Sequence, residues 1–461
     1  MITAIIVIIF IIGYLMIALE HPLKIDKTAS ALFTGMVVWA IYALWGDSIT
    51  TFETSAISYI QEHGLHHFID HELMHHLFDI SNILFFLLGA MTIVETIDIH
   101  DGFHIITSRI TTTNKVKLLW IICIITFFLS AVLDNLTTSI VMVSLLIKLI
   151  PDRKTRLLYS SMVIIAANAG GAWSPIGDIT TTMLWIGGQI TTANIIQYLI
   201  LPSFVCMVVP LLIVSRDKSM RGNFEPRKTT ETLKTTAFER QIVLILGVGA
   251  LLNVPVFKTL THLPPFMGML FGLGVLWIAT EVIHSSKDIV VRKNMSVIHA
   301  LTRVDAPSVL FFLGILMAVS CLQSIGVLRN LAEFLDNSIG NYDIIVMAIG
   351  VLSSIVDNVP LVAASMGMYD VVSPQSLQAA TSPEQIEALS YFVQDGKFWE
   401  FLAFCAGTGG SLLVIGSAAG VAVMGIERID FIWYLKKISW LALVGYIAGC
   451  LVYILQEHLL M

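Results

Sequence analysis

The chain has 461 residues, of which 56% are hydrophobic and only 13% charged, and its mean hydropathy is +0.84. Soluble globular proteins carry about twice this charged fraction, so the composition excludes that class and predicts an all-α polytopic membrane protein. The formal net charge of −7 sums over opposed surfaces and identifies no partner, and no nucleic-acid partner is expected.

Long apolar runs recur along the chain. A helix needs ~20 apolar residues to cross ~30 Å of hydrocarbon. Runs of about this length lie at about 2–19, 29–46, 80–97, 193–214, 240–256, 264–283, 307–325 and 438–456. At least eight transmembrane spans follow.

The charged residues between these runs predict how the spans are oriented. Lys and Arg gather at 24–27, 109–117, 148–156, 216–240, 287–303 and 428–437, which the positive-inside rule places in the cytoplasm. The stretches 47–79 and 370–395 contain acidic residues but no Lys or Arg, and we place them on the outer face. This arrangement puts the N-terminus and the C-terminus outside an inner (cytoplasmic) membrane.

Two apolar segments cannot cross the membrane without breaking this charge pattern. The segment 117–149 has basic flanks on both sides, and 344–369 lies between two outer regions. A re-entrant hairpin resolves each conflict, since irregular backbone is tolerated at membrane depth where protein or a wet cavity surrounds it. The predicted turns are Asp134-Asn135 and Asp357-Asn358.

The two halves of the chain match when the hairpins are aligned. Leu129-Ser-Ala-Val-Leu-Asp134-Asn135 resembles Leu352-Ser-Ser-Ile-Val-Asp357-Asn358, and Asn168-Ala-Gly-Gly171 resembles Gly407-Thr-Gly-Gly410. Because the hairpins enter from opposite faces, the repeats are predicted to be inverted, a common plan of secondary transporters. The organisation is ten spans plus two hairpins, with a first span and cytoplasmic loop at 1–28, repeat 1 at 29–215, a basic loop and linking span at 216–263, and repeat 2 at 264–461.

Each repeat also contains a span that glycine and polar residues interrupt, at about 158–187 and 397–425. Unwinding there would free backbone carbonyls to coordinate a cation and would expose the dipoles of half-helix ends. The alternative is that these glycines only allow close helix packing.

Three carboxylates, Asp134, Asp178 and Asp357, lie deep in segments that have no Lys or Arg nearby in sequence. Such groups usually bind a cation, carry a proton or meet a buried partner, because an unpaired buried carboxylate is costly. Oxygen ligands suit Na⁺ or Li⁺, and burial disfavours the charged carboxylate, so cation and proton would compete. The alternative is a helix cap at a turn, for which Asp357 is the stronger candidate.

The predicted ion site is wider than these carboxylates. The candidate cation-binding and proton-binding residues are Asp134, Asn135, Thr137, Thr138, Asn168, Ser174, Asp178, Thr180, Thr181, Asp357, Asn358, Thr408 and Ser411, with sodium at Asp134, Asn135, Asn168 and Asp178. Glu95, near the inner end of its span, is either an interfacial charge or a proton relay. No catalytic residue and no cofactor are expected.

A different function class is suggested by His71-Glu72-Leu-Met-His75, which fits the zinc-protease pattern of two His flanking a general-base Glu. A membrane-embedded metalloprotease is therefore an alternative. Against it, the surrounding stretch contains further histidines, so a chance match is easy, and no third ligand is evident. The histidines at 63, 66, 67, 71, 75 and 76 favour a surface helix, with pH sensing as a second use.

Four of these segments resemble the signature segments of NhaD-type sodium:proton antiporters, in the ion transporter superfamily. They are Leu87-Leu-Gly-Ala-Met-Thr-Ile-Val-Glu95-Thr-Ile-Asp98, Asp134-Asn135-Leu-Thr-Thr138, Asn168-Ala-Gly-Gly-Ala-Trp-Ser-Pro-Ile-Gly-Asp178-Ile-Thr180-Thr181 and Asp357-Asn358-Val-Pro360. The resemblance implies Na⁺ or Li⁺ exchange for H⁺, and a homodimer in the lipid membrane whose transport domain moves against a scaffold in an elevator-like step. The second repeat departs from the first, since Gly407 and Ser417 stand where Asn168 and Asp178 would be expected.

The nearer alternative is a sodium-coupled carboxylate carrier of the same superfamily. Such carriers typically place Ser-Asn-Thr where this chain has its two Asp-Asn turns. An aspartate at each hairpin tip would repel a dianionic substrate. The sequence therefore favours cation exchange over carboxylate uptake.

Overall fold

The computed structural model describes residues 1–49, 54–110, 112–224 and 235–460, and in this part of the chain the regular structure is helical, with no β-strand. The all-α prediction is confirmed. Part of the predicted outer stretch 47–79 and part of the basic 216–240 loop lie outside the described residues.

The described residues of the first half of the chain form eight principal helices. They are α1 (Ile2–Ala18), α2 (Lys27–Trp45), α3 (Leu65–Ile99), α4 (Lys115–Leu133), α5 (Asn135–Leu149), α6 (Arg153–Ala172), α7 (Ile179–Ile186) and α8 (Thr192–Ser215). Short helices at Thr54–His63 and His104–Thr107 lie in the connections.

The described residues of the second half form nine principal helices. They are α9 (Ala237–Thr261), α10 (Pro265–His284), α11 (Ala306–Ser324), α12 (Val327–Ile339), α13 (Tyr342–Leu352), α14 (Asn358–Met368), α15 (Lys397–Gly409), α16 (Ala418–Glu427) and α17 (Ser439–Leu460). Short helices at Ile289–Asn294, Val297–Arg303, Pro374–Ala379, Pro383–Ser390 and Phe431–Lys437 connect them.

Among the described residues, eight helices are long and apolar enough to cross a membrane: α2, α3, α4, α8, α9, α10, α11 and α17. This set agrees with a polytopic membrane protein but differs from the predicted spans at two places. Helix α1 has 17 residues and is slightly short, whereas α4, predicted as one limb of a hairpin, is long enough to span by itself.

Helix α3 is longer than its predicted span, because the polar, His-rich segment before residue 80 continues the same helix. Its 35 residues correspond to ~52 Å, well beyond the ~30 Å of a hydrocarbon core. The His-rich segment is thus a helical extension of a span.

Both predicted hairpins are helix–turn–helix units, and both predicted breaks interrupt a helix. Asp134 alone separates α4 from α5, and residues 353–357 separate α13 from α14. The breaks lie at 173–178, between α6 and α7, and at 410–417, between α15 and α16.

Each hairpin is bound to the adjoining broken helix in the same way in the two halves of the chain. Ser130 Oγ donates to the Ala167 carbonyl at 2.6 Å, and Ser353 Oγ donates to the Ala406 carbonyl at 2.8 Å. A Cβ on Gly170 would lie 2.2 Å from the Phe127 carbonyl oxygen, and one on Gly409 would lie 1.9 Å from that of Gly350. These two glycines at the ends of α6 and α15 therefore allow the broken helices to pack closely against the hairpins.

The principal helices pack as two groups. Helices α1, α2, α3, α9, α10 and α11 contact mainly one another and form the first helix group, whereas the first hairpin, the two broken helices, α8, α13 and α17 form the second helix group. Helix α14 of the second hairpin packs against α11 and so lies between the groups.

Candidate ion site

The side chain of Asp178 joins both hairpins to the first break. Asp178 caps α7, and its Oδ1 accepts a hydrogen bond from the Thr180 amide at 3.2 Å. Its Oδ2 accepts from Asn135 Nδ2 at 3.1 Å and from Asn358 Nδ2 at 3.4 Å. Asn135 and Asn358 begin the second limbs of the two hairpins, so one carboxylate oxygen connects elements from opposite halves of the chain.

Asn168 extends this contact to the second break. Its Oδ1 accepts from Asn135 Nδ2 at 3.1 Å, and its Nδ2 donates to Ser411 Oγ at 2.9 Å and to Ser417 Oγ at 3.0 Å. We call Asn135, Asn168, Asp178, Asn358, Ser411 and Ser417 the central polar cluster. All six are buried, and Asp178 is only 2% exposed.

Ser417 was not among the predicted site residues. It caps α16 by accepting from the Gly420 amide at 3.1 Å, as Asp178 caps α7. The sequence signal was present, because Gly416-Ser417 matches Gly177-Asp178 in the repeat alignment. A serine keeps the cap but not the charge, so the carboxylate of this cluster comes from the first half alone.

Three threonines offer further oxygens beside the central polar cluster. The hydroxyls of Thr138, Thr180 and Thr181 are buried and have no hydrogen-bond partner within the described part of the chain. Thr138 is on α5, which begins at Asn135, and Thr180 and Thr181 are on α7, which Asp178 caps. Neutral hydroxyl oxygens of this kind, together with one carboxylate, suit a hard monovalent cation.

Asp134 lies at the edge of the cluster and uses its oxygens within its own turn. It caps α5 with a positive φ of 83°, and its Oδ1 accepts from the Thr137 amide at 2.8 Å. Its Oδ2 accepts from Thr137 Oγ at 2.9 Å. The structure therefore gives Asp134 a capping role and does not hydrogen-bond it to Asn168 or Asp178.

Asp357 also caps a helix, but it has a cationic neighbour. Its Oδ1 accepts from the Val359 amide at 3.2 Å, while its Oδ2 lies 3.8 Å from Lys27 Nζ. The sequence showed no Lys or Arg near Asp357, because Lys27 begins α2 and is distant along the chain. Packing of the second hairpin against the first helix group brings the two charges together.

Two predicted site residues bond to the backbone instead. Ser174 Oγ donates to the Ala131 carbonyl at 2.6 Å, which holds the first break against the first hairpin. Thr408 Oγ donates to the Phe404 carbonyl, one turn earlier in α15, at 2.6 Å. These hydroxyls position the site's helices.

A cavity of about 450 Å³ connects Glu95 with the tip of the first hairpin. Its lining includes Glu95, Asp98, Thr137, Lys148 and Arg303. The Arg303 guanidinium lies 3.2 Å from Glu95 Oε2 and 2.8 Å from Asp98 Oδ2. Glu95 is therefore ion-paired at the wall of a polar cavity that reaches Thr137, the partner of Asp134.

A second cavity, of about 370 Å³, lies between α3 and α11 of the first helix group and α7 and α14. Its lining includes His75, His76, Gln323, Met366 and Tyr369. The His-rich extension of α3 thus borders an opening between the two helix groups.

The zinc-protease motif is not arranged around a metal position. Glu72 accepts from Ser324 Oγ at 3.0 Å, and His76 Nε2 lies 3.0 Å from the same hydroxyl. His75 instead lies 3.5 Å from Asp79. In the described ranges no group of three or more His, Cys, Asp or Glu side chains could hold a metal ion.

The chain matches the CitMHS family, described as citrate transporter, over residues 7–390. It is 46% identical to sodium/proton antiporter 1 of Arabidopsis thaliana, over 98% of this chain and 72% of that protein. It is equally similar, at 46%, to sodium/proton antiporter 2 of the same plant, over 96% of this chain and 97% of the relative. It is 28% identical to the Na(+)/H(+) antiporter NhaD of Vibrio cholerae, over 98% of this chain and 91% of that protein.

Proposed function

Since this chain belongs to the CitMHS transporter family and is a sodium/proton exchange transporter, we propose that a buried site centred on Asp178 carries the cation and the proton in alternation. The observation that carries the proposal is the shared Asp178 Oδ2, which accepts from the tips of both hairpins. The chain is an integral membrane protein and a transporter, not a metalloprotease.

Asp178 provides the charge on which exchange depends. When Na⁺ or Li⁺ is bound, its carboxylate and nearby amide and hydroxyl oxygens coordinate the ion. When the ion leaves, burial disfavours the bare carboxylate, so a proton takes its place. Because one carboxylate binds either the cation or the proton, the two ions move in opposite directions.

The remaining predicted ligands can be grouped by their contacts with Asp178 and by their position on the hairpins. Asn135, Asn168, Asn358 and Ser411 contact one another or Asp178, and we assign them to the cation site. Thr138, Thr180 and Thr181 add free hydroxyls within the described residues. Asp134, with Thr137, and Asp357 lie at the two hairpin tips, where they draw the cation in and adjust the local charge.

Carboxylate uptake, which the family description allows, fits this site less well. Asp178 is buried at the centre and an aspartate occupies each hairpin tip, and no Arg or Lys belongs to the central polar cluster. Within the described residues Lys27 offsets the charge of Asp357, so a di- or tricarboxylate would still meet a net negative charge at this site. The charge of the site therefore favours a cation as substrate.

Movement of the second helix group against the first would give access from alternate faces. The separate packing of the two groups, and the cavities of about 450 and 370 Å³ that lie along them, support an elevator-like step. Matching hydrogen bonds of Ser130 and Ser353 support two structural repeats, and the charge pattern of the loops supports their inversion. We further propose a homodimer in an inner membrane, with both termini outside.

Glu95 is proposed as a proton relay between bulk solvent and the first hairpin. Its ion pair with Arg303 and its place on the cavity wall beside Thr137 support this role over that of a simple interfacial charge. A carboxylate held by an arginine can accept a proton when the pair opens toward the cavity.

Everted vesicles energised to an acid interior test the function. Addition of Na⁺ or Li⁺ should collapse the pH gradient, while K⁺ should have much less effect. Uptake of labelled succinate or citrate in the same vesicles should stay at the level of vesicles without the protein. Sodium-stimulated carboxylate uptake without proton movement would establish the carrier alternative instead.

A further inference from the structure

An ion pair connects the second hairpin to the first helix group. Lys27 is the first residue of α2, in the first helix group, and Asp357 is the tip residue of the second hairpin. Lys27 Nζ lies 3.8 Å from Asp357 Oδ2, with the two side chains 25% and 16% exposed. Charges at this burial interact more strongly than a fully solvated surface pair.

Lys27 is held in place by the first helix group. Its Nζ lies 4.6 Å from the ring centroid of Phe311, which is fully buried in α11. The neighbouring Thr28 Oγ donates to the Pro307 carbonyl at 3.2 Å, so the start of α2 is fixed to the start of α11. The lysine therefore belongs to the first helix group, against which the second helix group moves.

The residues around Asp357 connect it to α1 and to the central polar cluster. Tyr14 of α1 lies within electrostatic reach of Asp357, and its buried hydroxyl has no hydrogen-bond partner among the residues that the structure describes. Asn358, the next residue after Asp357, contacts Asp178. A change in the charge around Asp357 therefore acts next to Asn358, which belongs to the central polar cluster.

We propose that Lys27 is a resident counter-ion of Asp357, which the transported cation displaces. This inference rests on the proposed function. One carboxylate cannot fully neutralise an ammonium group and Na⁺ together, so an arriving cation is opposed by Lys27 until the pair opens. The lysine keeps its charge throughout. Lys27 is a positioning residue that weakens cation binding and, in the empty state, holds the second hairpin against the first helix group.

The pair couples cation binding to the contact between the second hairpin and the first helix group. With no cation bound, Lys27 and Asp357 connect the second hairpin to α2. Cation binding redirects Asp357 away from the lysine and removes this contact.

Lys27→Gln removes the charge and keeps a polar side chain, and Lys27→Arg keeps the charge. Lys24→Gln is the matched control, since Lys24 is exposed three residues earlier in the same connection. In everted vesicles at fixed pH, Lys27→Gln should lower the Na⁺ concentration for half-maximal exchange by on the order of three- to tenfold. Lys27→Arg should stay near the parent value, and Lys24→Gln should equal it.

Asp357→Asn identifies the partner. Adding Lys27→Gln to Asp357→Asn should produce no further change in cation affinity, because the pair is already absent. Na⁺-induced thermal stabilisation of the purified protein gives a second readout for variants that transport poorly. There Lys27→Gln should reach half-maximal stabilisation at lower Na⁺ than the parent, unless Asp357 is also Asn.

The outcomes distinguish the role of Lys27 from the proposed sodium/proton exchange. An unchanged Na⁺ dependence of Lys27→Gln in both assays, or an equal shift in the Asp357→Asn background, overturns the role of Lys27. Absence of Na⁺-driven proton movement in the parent overturns the proposed exchange, while Na⁺ stabilisation that responds to Lys27→Gln would still support the counter-ion.

Discussion

His100 and His284 face one another inside the protein, with their Nε2 atoms 2.8 Å apart. The pair joins the end of α3 to the end of α10. His100 Nδ1 lies 2.6 Å from the Thr96 carbonyl, so it carries the proton, and Nε2 of a neutral His100 accepts from His284. A second proton on His100 would place two donors face to face. Glu239, Lys287, Asp101 and Glu281 are the charged groups that act on the pair.

We expect this pair to make stability depend on pH. Burial lowers the pKa of His100 below the ordinary histidine value of about 6.5. As pH falls below about 6.5 the unfolded chain therefore takes up a proton that the folded pair does not, and stability decreases. His100→Gln keeps an acceptor for His284 without titrating, so its melting temperature should fall less than that of the parent between about pH 7.5 and about pH 5.5. His66→Gln, on the exposed His-rich segment, is the control and should behave as the parent. An equal acid-induced loss in His100→Gln would show that the pair does not sense pH.

Asp178→Asn should abolish exchange while leaving the fold intact. The amide lacks the charge that attracts the cation, and its NH₂ group would face the amides of Asn135 and Asn358. Loss of even 1.4 kcal/mol of cation interaction weakens apparent Na⁺ affinity about tenfold. Exchange in vesicles and Na⁺-induced stabilisation measure this effect. Asp152→Asn, an exposed helix cap, is the matched control. Full antiport at unchanged Na⁺ affinity would remove Asp178 from the ion path.

Asp134→Asn and Asp357→Asn separate capping from ion binding. Asparagine caps a helix about as well as aspartate, so Asp134→Asn should change thermal stability by less than about 0.5 kcal/mol. Asp357→Asn keeps its cap as well but loses the ion pair with Lys27, so it should lose up to about 1 kcal/mol more. Exchange should nevertheless fall in both, and more severely in Asp134→Asn. Parent-level exchange in either variant would leave that aspartate with a structural role only.

The double substitution His71→Ala, His75→Ala should leave exchange largely intact, because Glu72 is bound to Ser324 and the described residues place no third ligand beside the two histidines. Metal content of the purified protein should be equally low before and after the change. Stoichiometric zinc in the parent, lost in the double variant, would revive a metal role for this segment.

Single-cysteine labelling should resolve the orientation of the loops. The five native cysteines are buried, so the background should be low. Positions in 216–235 and 290–300 should react only from the cytoplasm, and positions in 55–75 and 375–392 only from outside. Labelling of 148–156 and 370–395 from the same face would contradict the inverted repeats.

The sequence determined the local features of this protein. Apolar runs located the spans, Asp-Asn pairs located the hairpin turns, and glycine-rich polar segments located the breaks, because each depends on residues that are close together in the chain. It also indicated most of the central polar cluster, since Asn135, Asn168, Asp178, Asn358 and Ser411 belong to those turns and breaks.

Only the tertiary structure decided which groups meet. It joined Lys27 to Asp357, His100 to His284, and Glu72 to Ser324. The partners in each of the three joined pairs lie on helices far apart in the chain. Hydropathy and turn patterns leave these contacts open, because the sides that helices present to one another depend on the packing of all of them together.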